Sequence, residues 1–204
     1  MNTSTRSGFP IILSAPSGGG KTTLSREIIK LHPEIHYSIS VTSRPPRECE
    51  VDGQDYHFVA VAEFERMLER DEFAEWAMVH DNYYGTPKRQ IESRIDRGTD
   101  VIMDIDTAGA RSIKKLYPQS AAIFVLPPSL DELARRLRGR ATDSEEVIKK
   151  RLNRARLELK EIGDFDYVIV NDRFEDAVAQ VRAIIEAERC RLSRYDVRRV
   201  VDLR

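Results

Sequence analysis

The residues with the most specific chemistry lie near the start of the chain, where positions 15–23 read APSGGGKTT. An apolar run at 11–13 precedes them, and a helical pattern begins at Leu24. The glycines at 18–20 can adopt backbone angles that are closed to other residues, so successive N–H groups can surround one phosphate. The N-terminus of the following helix adds a partial positive charge. This spacing predicts a loop that binds the phosphates of a nucleotide.

Two side chains at the end of this loop are suited to phosphate chemistry. Lys21 can reach the β- and γ-phosphates, and the Thr22 hydroxyl is placed for Mg²⁺. The strict pattern begins with glycine, whereas this chain has Ala15 there. An ordinary glycine turn is the alternative, but the apolar strand before the loop and Lys-Thr within it favour a phosphate loop. The predicted nucleotide-binding residues are Ala15, Pro16, Ser17, Gly18, Gly19, Gly20, Lys21, Thr22 and Thr23.

The elements that must position this loop alternate between apolar strands and helical patterns. Continuous apolar runs, typical of strands covered on both faces, predict strands at 11–15, 101–105, 121–126 and 167–170. Helices are predicted at 21–31, 87–97, 130–138, 145–162 and 174–193. Ser129 and Glu132 form a capping-box pattern at the start of the third helix. The alternation predicts an α/β fold with a mostly parallel sheet flanked by helices.

Two stretches interrupt this alternation. Residues 40–75 contain a proline-bearing loop, a short strand pattern at 56–59 and a helix near 63–70, and they are predicted to form an insertion with its own small substructure. Residues 139–143, with the sequence GRATD, are small, polar and flanked by arginines. Their composition predicts a mobile lid between two helices.

Composition excludes several classes of function. The 204 residues include 33 Lys plus Arg and 34 Asp plus Glu, so a net charge of −1 gives no global attraction to nucleic acid or membranes. The two cysteines, Cys49 and Cys190, have no metal-ligand spacing. No run approaches the about 18 apolar residues of a membrane span, and the polar start does not resemble a signal peptide. The expected compartment is the cytoplasm, without nucleic acid or membrane partners.

The insertion carries candidates for a second phosphate site. Two prolines separate Arg44 and Arg47 and hold the two guanidinium groups in a set relation. Together with Tyr56 they could clamp a phosphate, because guanidinium binds phosphate in a bidentate manner. The alternative to a phosphate clamp is a basic turn whose arginine side chains are only solvated. Tyr83 and Tyr84 could give hydroxyls to a phosphate or fill the core of a hairpin.

The ordered motifs APSGGGKTT, SxSVTSRPPR, GxDYHF, FAEWA, NYYGT, DID, RRLRGR and IVND closely resemble those of guanylate kinase. Their order and spacing carry the resemblance, which covers about residues 9–195. It implies transfer of the γ-phosphoryl group of ATP, with Mg²⁺, to GMP. The products would be ADP and GDP.

The resemblance also implies roles for residues of the insertion. Glu75 would read the guanine base, since a carboxylate offers two acceptors to the N1–H and N2–H₂ donors. Adenine, which lacks those donors, would leave the carboxylate unpaired. From the residues alone, an exposed acid on a strand would be the favoured interpretation of Glu75. The implied base contacts are Ser40, Glu75, Thr86 and Asp106, and the implied GMP phosphate contacts are Arg44, Arg47, Tyr56 and Tyr84.

Carboxylates and arginines elsewhere complete the implied site. Asp104 ends an apolar strand and is expected to meet Mg²⁺ together with Thr22, either directly or through water. A helix-capping role is the alternative for Asp104 and Asp106. Asn171 is implied near the adenine of ATP. The arginines implied to stabilise the transferred phosphoryl group are Arg136, Arg140 and Arg151. Arg135, Arg138, Arg154 and Arg156 are interpreted as solvated helix faces.

The expected organisation is one guanylate-kinase-like domain over 1–204, with a GMP-binding subdomain at about 40–90, a lid at about 138–152 and a tail at 196–204 of unknown role. A catalytically inactive guanylate-kinase-like interaction module is the main alternative. Such modules typically lose parts of the phosphate loop and lid arginines, which this chain retains. A kinase for another nucleoside monophosphate is disfavoured by Glu75 and Thr86. The sequence leaves dGMP as a second acceptor and the oligomeric state open.

Overall fold

Two β-sheets organise the chain, whose computed structural model describes residues 6–79, 81–139 and 145–196. The strands are β1 Pro10–Ser14, β2 His36–Tyr37, β3 Val41–Thr42, β4 His57–Phe58, β5 Phe73–Val79, β6 Asn82–Pro87, β7 Val101–Asp104, β8 Ala121–Leu126 and β9 Tyr167–Val170. The helices are α1 Lys21–Leu31, α2 Val61–Glu69, α3 Lys88–Ile95, α4 Thr107–Leu116, α5 Leu130–Arg138, α6 Glu145–Glu158 and α7 Phe174–Arg189. Two 3₁₀ helices span Leu159–Asp164 and Leu192–Arg194.

The larger sheet has the order β2-β7-β1-β8-β9, and all of its neighbouring strands are parallel. All five residues of β1 are buried, because apolar clusters pack on both faces of the sheet. This arrangement confirms the predicted α/β fold. Because β1 and β7 run parallel, with Leu13 opposite Asp104, the carboxyl end of β7 lies beside the start of the phosphate loop.

The smaller sheet has the order β4-β3-β6-β5 and is built around the antiparallel hairpin of β5 and β6. Its core is aromatic: the Phe64 ring stacks on Phe73 at 4.4 Å and on Tyr83 at 4.9 Å between centroids. Gly85 is required between these rings, since a Cβ there would lie 2.6 Å from the Phe73 ring. The predicted insertion therefore has its own sheet and its own apolar core.

Several predicted element ends are corrected by the structure. The helix predicted at 87–97 spans only Lys88–Ile95, since Pro87 ends β6 and Gly98 adopts a positive φ of 80°. The helices predicted at 145–162 and 174–193 end at Glu158 and Arg189, and a 3₁₀ turn follows each. The first strand ends at Ser14 and β7 ends at Asp104. In the insertion, the predicted elements at 56–59 and 63–70 become β4 and α2.

One helix was not among the predicted ones. Its first turn, TAGA in α4, contains small residues that give a weak helical signal, and the side chain of Asp106 caps it. The helices α1 and α5 coincide with their predicted ranges, and Ser129 accepts a hydrogen bond from the N–H of Glu132 at 3.0 Å as the capping pattern requires. Among the described residues, no helix is both long and apolar enough to cross a membrane.

Candidate active site

The phosphate loop connects β1 to α1 and has the backbone that its glycines predict. Gly18 and Gly20 have φ values of 90° and 95°, in the left-handed region that favours glycine. The N–H of Gly19 donates to the carbonyl of Pro16 at 2.7 Å, which closes the turn. Gly20 is the N-cap of α1, so the loop leads directly into the amino terminus of an 11-residue helix. The segment thus has the geometry of an anion site.

Ala15, the departure from the strict pattern, is accommodated by a glycine of the same loop. Ala15 is buried, and a Cβ built on Gly19 would lie 2.8 Å from its Cβ. Only glycine at position 19 leaves room for the methyl group at position 15. The two positions therefore depend on each other.

Asn171, implied near adenine, contacts the phosphate loop itself. Its Nδ2 donates to the carbonyl of Gly19 at 3.0 Å, and the side chain is buried. The backbone carbonyl of Asn171 accepts from Nη2 of Arg136 at 2.9 Å. Asn171 therefore links the loop to a lid arginine.

The carboxylate of Asp104 is held by two hydroxyl groups beside the loop. Thr22 Oγ1 donates to Oδ2 at 2.6 Å, and the Tyr37 hydroxyl donates to Oδ1. Burial, followed by the nearby Asp104 charge, raises the pKa of the Tyr37 hydroxyl. Sequence reasoning missed Tyr37, which lies on β2 and reaches Asp104 only because β2 pairs with β7.

Hard oxygen ligands at this position fit a magnesium ion. Thr22 and Asp104 supply a hydroxyl and a carboxylate, and no group of three or more His, Cys, Asp or Glu side chains within the described ranges could hold a metal. Mg²⁺ is usually bound by one or two carboxylates together with substrate phosphates. The donor set matches that mode of binding.

Three of the four residues implied at the GMP phosphate contact one another. Arg44 Nε donates to the Tyr84 hydroxyl at 3.1 Å, and its guanidinium lies 5.5 Å from the centre of the Tyr56 ring. The rings of Tyr56 and Tyr84 are 5.9 Å apart in an edge-on arrangement. Tyr83 fills the hairpin core instead, whereas the Tyr84 hydroxyl contacts Arg44.

Glu50, another residue missed from the sequence, organises this clamp. Its carboxylate accepts from both terminal nitrogens of Arg44 at 2.8 and 2.9 Å and from the backbone N–H of Arg47 at 2.8 Å. The hydrogen bonds from Arg44 lower the pKa of Glu50. Arg47 itself is exposed and joins the clamp through its backbone, while Arg44 is mostly buried.

The half-buried Glu75 and the buried Thr86 form a pair on opposite strands of the hairpin. Thr86 is fully buried, and its hydroxyl donates to Glu75 Oε1 at 2.5 Å. Burial raises the pKa of Glu75 to about 7, and the charge of Asp106 acts in the same direction against the hydrogen bonds from Thr86. The alternative of an exposed surface acid is therefore wrong for Glu75. Gly109 leaves space for it, since a Cβ there would lie 3.0 Å from Oε2.

Asp106 has the helix-capping role considered for it and also lies close to Glu75. It caps α4 by accepting from the N–H of Gly109 at 2.9 Å, and its charge acts on Glu75. Arg154 approaches Asp106 at 3.5 Å and donates to Glu158 at 3.0 Å. The Arg154 side chain is 57% exposed, so it lies on a solvated helix face as interpreted, and it also makes these two ion pairs. Its position on α6 brings it to the end of β7.

The lid arginines are described in part. Arg136 Nε donates to Glu132 at 2.7 Å and its Nη2 reaches the carbonyl of Asn171, while Arg151 lies half-buried in α6. Arg140 and the rest of 140–144 lie outside the described residues. The exposed arginines Arg135, Arg138 and Arg156 pair with nearby side chains on the helix surface, as predicted.

The two halves of the site share one cavity of about 630 Å³. Lys21, Thr22 and Asp104 line it from the side of the phosphate loop. Ser40 and Tyr56 line it from the insertion. The cavity therefore extends from the end of the phosphate loop to Tyr56 of the clamp and to Glu50, which binds Arg44.

Known proteins share this sequence and fold. The guanylate kinase family model matches residues 7–188. The chain is 51% identical over 189 residues to a guanylate kinase of Geobacter sulfurreducens, covering 93% of each, and 48% identical over 197 residues to one of Myxococcus xanthus, covering 96% of this chain and 94% of the relative. The crystal structure of guanylate kinase from Anaplasma phagocytophilum superposes with a TM-score of 0.81 at 30% identity, covering 99% of this chain and 97% of that one. The chain belongs to the guanylate kinase family.

Proposed function

We propose that the chain transfers the γ-phosphoryl group of ATP to GMP, forming ADP and GDP. The family match and the curated relatives support a guanylate kinase and do not favour an inactive interaction module. The observation that carries the residue roles is the shared cavity, because it extends from Lys21 and Thr22 at the end of the phosphate loop to Tyr56 of the clamp. A simple nucleotide-binding module would need only the loop.

The donor half binds ATP through the phosphate loop and stabilises the transferred group. Backbone N–H groups of the loop and Lys21 bind the phosphates, and Arg136, Arg140 and Arg151 supply positive charge to the equatorial oxygens. Thr22 and Asp104 would hold Mg²⁺, which neutralises phosphate charge when it is bound. Asn171 keeps the loop in place through its hydrogen bond to Gly19.

The acceptor half binds GMP at both ends. The phosphate is held by Arg44, Arg47, Tyr56 and Tyr84. In the absence of a phosphate, the Glu50 carboxylate orients the guanidinium group of Arg44. Ser40, Thr86 and Glu75 recognise guanine, with Asp106 adjacent. Two donors of guanine compensate the cost of a buried carboxylate, whereas adenine leaves it unpaired. The raised pKa of Glu75 fits this role, because burial alone disfavours the charge that guanine stabilises.

The organisation of the chain is part of the proposal. A single domain contains a GMP-binding subdomain at about 40–90, which the second sheet between Val41 and Pro87 supports, and a lid at about 138–152. A cytoplasmic location is supported by Cys49 and Cys190, which are both free and exposed.

A coupled assay of ADP release tests this proposal, with Mg²⁺, ATP and each nucleoside monophosphate in turn. We expect turnover with GMP and at least about a hundredfold less with AMP, since AMP leaves Glu75 unpaired. The absence of ADP release with every acceptor would contradict the proposal and favour the interaction module. Equal turnover with GMP and AMP would instead contradict the assigned role of Glu75.

A further inference from the structure

Tyr37 contributes a hydroxyl group that the assignments above do not use. It lies on β2 at the edge of the parallel sheet, opposite Ile102 of β7. Its ring packs against the apolar cluster beneath α1, and the side chain also lines the shared cavity. Its hydroxyl donates to Oδ1 of Asp104. The ring alone would satisfy the packing, so the hydroxyl calls for a separate explanation.

The two oxygens of Asp104 are thereby held by two different elements. Tyr37 binds Oδ1 from β2, and Thr22 binds Oδ2 from the first turn of α1 at 2.6 Å. The torsion that turns a carboxylate about its last bond is broad and roughly two-fold, so a single hydrogen bond restrains it weakly. A donor on each oxygen fixes the plane of the group.

The orientation of Asp104 in turn determines the direction of the Thr22 hydroxyl. A threonine hydroxyl has one proton and two lone pairs. When the proton points to Asp104, the lone pairs of Oγ1 point away from it and are free for a cation. If Asp104 rotates, that proton is free to turn toward the cavity, where it would oppose a cation.

We propose that Tyr37 is a positioning residue whose hydroxyl fixes the Asp104 carboxylate, and through it the Thr22 oxygen, for the cation that accompanies ATP. The inference rests on the proposed donor site. Hydrogen-bond partners behind metal ligands typically contribute about 10- to 100-fold to metal affinity or activity. Tyr37 has the geometry of such a partner, although it lies 67 residues from Asp104.

Calorimetry of ATP binding to the full chain, with Mg²⁺ or with EDTA, tests the inference. We expect Tyr37→Phe to reduce the enhancement of ATP affinity by Mg²⁺ about tenfold. Affinity for metal-free ATP and for GMP should stay unchanged, because the ring and its packing remain. The matched control is Tyr117→Phe, which also removes a phenol–carboxylate hydrogen bond, to Glu92 at 3.2 Å, and should bind like the wild type.

Three results would overturn the inference. A Tyr37→Phe protein with the full enhancement by Mg²⁺ would show that the hydroxyl does not position the ligands. Equal losses of ATP affinity with and without Mg²⁺ would show that it acts only on the fold, which thermal unfolding of both variants would detect independently. A wild type that binds ATP equally in Mg²⁺ and EDTA would refute the metal site itself, and the inference with it.

Discussion

The Glu75→Gln substitution offers a direct test of the base-recognition site. Glutamine keeps the shape of the side chain and an acceptor for Thr86, but it removes the charge. In the native protein the pKa of Glu75 is raised from 4.5 to about 7, mainly by burial and further by Asp106, the charged group that faces it. The substitution therefore changes both the pH dependence of stability and the affinity for GMP.

The effect on stability follows from the difference between the folded and unfolded pKa. The folded state binds the Glu75 proton more tightly than the unfolded chain does. The contribution of this proton to the unfolding free energy is therefore complete below pH 4.5 and is lost as the pH rises through 7. Each pKa unit corresponds to about 1.4 kcal/mol. The wild type therefore loses about 3 kcal/mol of unfolding free energy by pH 8. The Glu75→Gln variant does not lose this stability, because it has no titrating group at position 75.

Urea unfolding at several pH values from 5 to 8 measures this difference. Other titrating groups are common to both proteins, so the difference in unfolding free energy between Glu75→Gln and wild type should rise by about 2.5 kcal/mol between pH 5 and pH 8. Parallel pH profiles for the two proteins would refute the argument. Parallel profiles would mean that Glu75 has the same pKa in the folded protein as in the unfolded chain.

The same substitution should weaken GMP binding much more than ATP binding. A neutral amide presents a donor to the N–H groups of guanine, so we expect a loss of about a hundredfold for GMP. The wild-type affinity should also fall as the pH drops below 7, and Glu75→Gln should lack that dependence, while the phosphate of GMP titrates equally in both. Glu72→Gln, just before β5 and partly exposed, is the matched control. Equal losses for GMP and ATP in calorimetry would contradict the role of Glu75.

Two further predictions concern the phosphate loop. Lys21→Met should keep the fold but lower turnover by on the order of 10²-fold or more, because a donor to the transition state is lost; near-wild-type turnover in a steady-state assay would exclude that role. Gly19→Ala should lower the melting temperature and the ATP affinity, since its Cβ would lie 2.8 Å from that of Ala15 and 3.0 Å from the carbonyl of Pro16. Adding Ala15→Gly should restore part of the loss by relieving the first contact, and a double variant no better than Gly19→Ala would show that the two methyl groups do not collide.

Features encoded within short segments could be predicted well from the sequence. The phosphate loop needs only nearby residues, and its strand, turn and helix appear as expected, with Gly18 and Gly20 at positive φ. The capping pattern at Ser129 and the long apolar strands are likewise local. The elements that the sequence did not predict include β2 and α4. The first has two residues and the second begins with small ones, so neither produces a clear periodic signal.

The candidate site depended more on contacts between distant residues. The implied GMP contacts around Arg44 do assemble, yet Glu50 and Tyr37 carry no pattern that marks them. The raised pKa of Glu75 also escaped prediction, because the residues alone favoured an exposed acid. The burial of Glu75 depends on the elements that cover it, which are α4 and the strand β6 that carries Thr86.

The sequence by itself determined that this protein has a phosphate loop and an α/β core, and its ordered motifs indicated the family. Those conclusions rest on backbone preferences and hydrophobic patterns that act over a few residues. Only the tertiary structure decided that Asp104 is held by both Thr22 and Tyr37, that Asp106 caps α4 beside Glu75, and which tyrosine faces the clamp. Hydrogen bonding and desolvation act through space over a few ångströms, and only the folded chain brings these residues that close.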